Sequence, residues 1–257
     1  MEIEKKFVAQ LKELEVELTK EKERMFEKYY KLLLFWNELM NLTGITEKDQ
    51  VYEKHFLDSL SIVKILNIKK MSETVEKVKK PSEIKEAEKG FRVLDIGTGA
   101  GFPGIPLKIV FPEIKMVLLD SLEKRVKFLS EVVKELEIEL TSCLHGRAED
   151  FAKKEEYRQG FDLVVSRAVA DLSVLSEYAL PFVKVGGSFV AYKSSDIKEE
   201  VENSENAIEI LGGQIKEEIT FNLPYTKVRR TLLRIEKVSD TPEKYPRRAG
   251  KPVKKPL

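Results

Sequence analysis

The first forty residues contain neither glycine nor proline, and Met25, Phe26, Tyr29, Leu32, Leu33, Trp36, Leu39 and Met40 recur at helical spacing. That pattern predicts one amphipathic helix running to about Met40 with an apolar stripe against a neighbour, so its Trp and Tyr are expected in a core rather than on a nucleobase. Residues 41–44 end it. Thr46 followed by Asp49 reads as a capping box, and the helix it opens carries Phe56, Leu60, Val63 and Leu66 on its apolar side. Residues 69–90 are almost wholly charged or polar and predict a solvated linker or short helical insertion.

From Phe91 the pattern changes to short apolar runs alternating with helix-length segments. Strands are expected at 91–96, 114–119, 140–144, 161–166 and 188–192, with helices near 103–111, 121–136 and 199–211 and a Leu-rich one ahead of Gly186-Gly187. Two last strands, 215–221 and 230–235, follow each other without a helix and predict an antiparallel hairpin. The whole reads as an α/β fold, a mostly parallel seven-stranded sheet covered on both faces. Its expected divisions are a helical extension (1–68), the charged linker (69–90), the α/β domain (91–238) and a tail (239–257).

The chemistry gathers on 91–107, FRVLDIGTGAGFPGIPL. This is strand, glycine loop and helix N-terminus, with Pro103 and Pro106 placed where a first turn tolerates proline. Gly97, Gly99 and Gly101 remove Cβ atoms, so a ligand is expected to lie against the backbone, and Asp95 puts a negative charge beside that bed. Ligands of open α/β sheets bind at the carboxyl ends of strands, which places Asp95, Asp120, Glu149 and Arg167 on one rim. The run Gly99 to Gly104 also satisfies the dinucleotide pattern G-x-G-x-x-G, with Asp120 at a suitable distance. Asp95 would repel a pyrophosphate and welcome an ammonium group, while Asp120 suits ribose hydroxyls; S-adenosylmethionine has both parts. A nicotinamide-dependent oxidoreductase on the same loop, and a non-catalytic RNA-binding or ribosome-assembly protein, remain the other readings.

Charge and cysteine content narrow the setting. The net charge is only +1, but the last thirteen residues carry Arg247, Arg248, Lys251, Lys254 and Lys255 with no acid, so the remainder is four negative. A basic tail on a mildly acidic body fits a partner met through phosphates. Arg167 and Lys193 at strand ends, with Arg229 and Arg230, extend the candidate path for such a partner. The single cysteine, Cys143, leaves no internal disulfide and no cysteine zinc site, and no metal is expected. The absence of an apolar leader or an 18-residue apolar run leads to the expectation of a cytoplasmic protein without a membrane association.

Six runs carry a resemblance: NLTGITEKDQVYEKHFLDSL, VLDIGTGAGFPGIPL, LLDSLEKRVKFL, GRAEDF, VVSRAVADL and EKYPRRAGKPVKKPL. In this order, across most of residues 25–257, the sequence resembles the bacterial small-subunit ribosomal RNA guanine-N7 methyltransferases of the glucose-inhibited division protein B family. Residues 69–90 depart from the pattern, being longer and more charged. The resemblance implies a class I, Rossmann-like S-adenosylmethionine-dependent methyltransferase that methylates N7 of a guanine in a loop of 16S rRNA and releases S-adenosylhomocysteine. It implies that Gly97 and Phe102 lie in the cofactor loop, Asp120 and Ser121 at the ribose, and Ala148 with Glu149 near the adenine. Arg167 would complete the cofactor site and face the target base, and His55 and Asp58 would meet the RNA or the cofactor rim. The expected partner is small-subunit rRNA or the 30S particle, met by a monomer.

The residues agree with that chemistry. Where many exocyclic-amine methyltransferases carry Asn/Asp-Pro-Pro-aromatic, this chain has Ser166-Arg167-Ala168-Val169, and Cys143 lies one strand too early to serve as a cytosine C5 nucleophile. Guanine N7 has an available lone pair and no proton to lose. Catalysis there needs placement and electrostatics, and no general base.

Overall fold

Seven strands form one sheet in the order β3-β2-β1-β4-β5-β7-β6. They are β1 (Arg92–Ile96), β2 (Lys115–Asp120), β3 (Thr141–His145), β4 (Phe161–Arg167), β5 (Val183–Lys193), β6 (Gly213–Asn222) and β7 (Arg229–Lys237). The computed structural model describes residues 2–78, 90–167, 169–194 and 197–257. Neighbours among β1 to β5 pair in parallel, and β7 runs antiparallel to both β5 and β6. The strand order reverses between β1 and β4, which puts the crevice for a ligand at their carboxyl ends. Gly186 and Gly187 lie inside β5, not ahead of it, where the β4–β5 register shifts; they accommodate an irregularity within the strand rather than a turn before it.

Alternate residues of each strand feed two cores. Val93, Leu163, Val165, Val190 and Tyr192 face one. Leu94, Ile96, Val164, Phe189 and Ala191 face the other. The first core is shared with the N-terminal helices and with α6 (Gly104–Val110) and α7 (Glu123–Glu135), so the extension is one layer of the sheet domain. The second is covered by α8 (Ala148–Phe151), α9 (Leu172–Ala179) and α10 (Lys198–Ile210).

The expected single N-terminal helix is two, α1 (Glu2–Lys12) and α2 (Lys20–Met40). The chain reverses through Glu15 at φ +56°, and Thr19 caps α2 by accepting from Lys22 N. Tertiary packing overrides helix continuity: folding back brings the Phe7 ring edge-on to Phe26 at 5.2 Å and to Tyr52 at 5.1 Å. The capping box does not form, because Glu47 holds the N-cap position of α3 (Lys48–Val51) and Asp49 Oδ1 accepts from Gln50 N instead. The helix then widens into a π-turn, Tyr52–Leu57, before α4 (Asp58–Leu60) and a 3₁₀ turn. The first part of the expected linker is α5 (Ile68–Val78); 79–89 lie outside the described residues.

The tail is fastened to the body. Arg158 donates to the carbonyls of Thr241, Pro242 and Tyr245, and Pro252 of α11 (Lys251–Lys254) is buried. No helix among the described residues is long and apolar enough to cross a membrane.

Candidate active site

The three glycines of the loop do different work. All have positive φ, +65°, +61° and +93° at Gly97, Gly99 and Gly101. A Cβ on Gly97 would stand 2.7 Å from Val169 Cγ2, and one on Gly101 would stand 2.7 Å from both Tyr29 Oη and Ile105 Cγ1. Of the three, only Gly99 faces open space, its nearest neighbour being Gly97 O at 3.9 Å. Of the bed expected along all three, the stretch at Gly99 is the open one. Gly101 serves instead the close approach of α2, whose buried Tyr29 hydroxyl donates to Ala100 O beneath the loop.

Asp95 lies under the loop, fully buried. Its Oδ2 accepts from Thr98 Oγ1 at 2.6 Å and Gly104 N at 2.8 Å, whereas Oδ1 has no hydrogen-bond partner among the described residues. Burial outweighs these donors and pushes the carboxyl up to about 7. Asp120 is held at the end of β2 by Gly99 N and Leu122 N, both at 2.9 Å, with Arg125 at 3.4 Å. These bonds fix the carboxylate at the turn into α7, while Ser121 beside it is exposed. A carboxylate can accept about four hydrogen bonds, so Asp120 retains capacity for hydroxyls. Ala148 and Glu149 begin α8, with Glu149 Oε1 accepting from Gly250 N at 3.3 Å.

Arg167 ends β4 and is the centre of a second cluster. Its Nη1 donates to Asp58 Oδ2 at 3.0 Å and Lys54 O at 3.2 Å, and Nη2 donates to His55 Nδ1 at 3.2 Å. The guanidinium lies 5.1 Å from the Phe102 ring centre, against which His55 stacks at 4.5 Å. Phe102, 5% exposed, is a platform for these two side chains. His55 Nδ1 lies 3.2 Å from both Arg167 Nη2, which can only donate, and Lys54 O, which can only accept. Because Lys54 O already accepts from Arg167 Nη1, Nδ1 is assigned as the acceptor for Arg167, and Nε2–H donates to Thr43 Oγ1 at 3.0 Å. Burial first, then the Arg167 and Arg230 charges, lower His55 to about 3 and keep it neutral. Arg230 Nε donates to Asp58 Oδ1 at 2.9 Å. Arg167, Arg230, His55 and Asp58 line a cleft of about 670 Å³ at the carboxyl ends of β4 and β5.

The expected RNA-facing cations divide sharply. Lys193 is turned inward: Nζ donates to Glu200 Oε1 at 2.5 Å and to Ala170 O at 3.0 Å, and Glu200 also accepts from Leu172 N at 2.6 Å. This pins the loop that carries Val169 over Gly97. Arg247 is likewise structural, gripping the fully buried Glu177 through Nε at 2.9 and 3.0 Å and Nη2 at 2.5 Å. Arg229, Arg248, Lys251, Lys254 and Lys255 are exposed. Sequence reasoning missed Tyr29, Thr98, Glu177 and Glu200. Tyr29 was visible as part of the helical stripe, but nothing local marks it as the floor of the loop.

The family model for rRNA small subunit methyltransferase G matches residues 22–227. The chain belongs to this family. It is 49% identical over 98% of its length to ribosomal RNA small subunit methyltransferase G of Lachnoclostridium phytofermentans, covering 96% of that protein. It is 51% identical over 90% of its length to the protein of the same name from a Thermoanaerobacter species, covering 89% of it. The crystal structure of MtNAS in complex with MTA and tNA aligns at a TM-score of 0.52 and 15% identity, over 82% of this chain and 74% of that one, a likeness of fold alone. The methyltransferase family displaces the oxidoreductase reading of the glycine loop.

Proposed function

We propose that the protein transfers a methyl group from S-adenosylmethionine to N7 of a guanine in small-subunit ribosomal RNA. The family supplies the reaction class and the name of its members the RNA; the site supplies the fit. An orphaned buried acceptor (Asp95 Oδ1), an open glycine (Gly99) and a held carboxylate (Asp120) suit a ligand with a cationic amino-acid end and a ribose. S-adenosylmethionine, when bound, provides an electrophilic methyl on a sulfonium.

The observation that carries the N7 assignment is the target side. Around the cleft the neutral His55 is committed to Arg167 and Thr43, Asp58 is committed to two arginines, and Glu200 to Lys193. None of these three is free to take a proton from an amine, and N7 asks for none; Asp171, the remaining carboxylate of the lining, is solvent-exposed at the start of α9. Arg167 and Arg230 present fixed positive donors, suited to a guanine edge or its phosphate. The buried Phe102 ring shields one side of the Arg167 guanidinium from water, which strengthens those interactions.

Incubation with labelled cofactor and undermethylated rRNA or 30S particles, followed by reduction and aniline cleavage, should give strand scission at one guanine. No incorporation into either RNA form would sink the assignment, and incorporation without aniline sensitivity would move it to another atom of the base. The comparison of rRNA with 30S particles also identifies the form of substrate.

A further inference from the structure

We infer that Asp58 is a positioning residue of the transfer site: from the N-terminal extension it holds Arg167, at the end of β4, and Arg230, in β7, edge-on to the cleft that receives the target base. The inference rests on the function proposed above. Asp58 is 2% exposed and divides its two oxygens between the arginines, Oδ2 to Arg167 at 3.0 Å and Oδ1 to Arg230 at 2.9 Å. The two guanidiniums come from strands on opposite sides of β5. Without the intervening carboxylate, two like charges would face each other in a site with little water to screen them.

The π-turn prepares this grip. In an α-helix the Lys54 carbonyl would accept from Asp58 N, but Asp58 N donates to Glu53 O five residues back. The Lys54 carbonyl accepts from Arg167 Nη1, and His55 on the same turn accepts from Nη2. Three acceptors from one turn thus fix the plane of one guanidinium, with the Phe102 ring beneath it. Tyr192 Oη donates to Ser59 O at 2.8 Å, so β5 also anchors the segment. Insertions of this kind in helices concentrate at functional sites. A buried ion triad is moreover a poor route to stability, since apolar replacements are often as stable. Its use here is geometric.

The test uses the full chain and its only two histidines, His55 and His145. With ¹⁵N-histidine labelling, and His145→Gln for assignment, parental His55 should show the Nε2–H tautomer with Nδ1 in a hydrogen bond. In Asp58→Asn the Nδ1 signal should move towards that of a free imidazole as Arg167 withdraws. With undermethylated 30S particles, turnover should fall about 100-fold, the loss expected of an ångström-scale misplacement. The RNA KM and the affinity for S-adenosylhomocysteine should stay within about threefold, which a merely structural role would not preserve. Should Asp58→Asn fail to fold, Asp58→Glu keeps the charge one methylene away and should move the same signal with a smaller turnover loss. An unchanged His55 signal in a folded variant, or cofactor affinity falling in step with turnover, overturns the inference. A parent that methylates no RNA overturns the function reading instead, and the His55 signal still decides the positioning claim.

Discussion

Asp95 and Gly101 show that a motif residue carries structural tasks beside the one its motif suggests. The Asp95 carboxyl, at about 7 in the fold against 3.8 ordinarily, binds its proton more tightly when native. The unfolded chain therefore carries fewer protons between those values, and this group's contribution to stability is present at low pH and lost as pH rises through 7. Asp95→Asn keeps an acceptor for Thr98 and Gly104 and cannot ionise. Urea unfolding should find it closest to parent at pH 4, with its advantage growing as pH rises to 7 and level above that, at on the order of 1–4 kcal/mol relative to parent. A gap that does not grow with pH would contradict the burial account. Gly101→Ala should cost about 2–5 kcal/mol, from positive φ and collision with Tyr29 and Ile105. Gly99→Ala meets open space; its φ strain alone remains, and S-adenosylhomocysteine calorimetry should register the larger part of its effect.

At the scale of elements, the loop and the helix beneath it form one unit. Tyr29→Phe removes the hydroxyl that satisfies Ala100 O in a fully buried position. A loss of about 1–3 kcal/mol is expected, with weaker cofactor binding because the loop loses its floor. Unchanged calorimetric affinity in a destabilised variant would separate the two effects. The strands were legible because buried parallel strands read as unbroken apolar runs, and the rim was legible because such runs stop at Asp95, Asp120 and Arg167. The break at Glu15 was not, since it follows from Phe7 meeting Phe26 and Phe56 across the fold and no turn residue announces it. Nor was the arginine cluster. Asp58 stands 109 residues from Arg167 and 172 from Arg230, and no periodicity reaches that far.

For the whole molecule, the question is how an acidic body meets a polyanion. The tail supplies an answer only in part, because Arg247 is consumed by Glu177 and Gly250 is tied to Glu149. The same segment braces α8 and α9 with its buried face and carries cations on the other. Deleting it would therefore confound folding with RNA engagement, and substitutions must separate them. Arg247→Ala leaves a buried carboxylate without its partner and should cost about 3–5 kcal/mol in urea unfolding. Arg248, Lys251, Lys254 and Lys255, all exposed, can be changed together to glutamine with little effect on unfolding. If each meets a phosphate, the slope of log affinity against log salt for rRNA should fall by about 0.7–0.9 for every cation removed, hence by about 3–3.6 in the fourfold variant. A slope equal to the parent's would place the RNA elsewhere, on Arg229 and the arginines of the cleft, and reduce the tail to a brace.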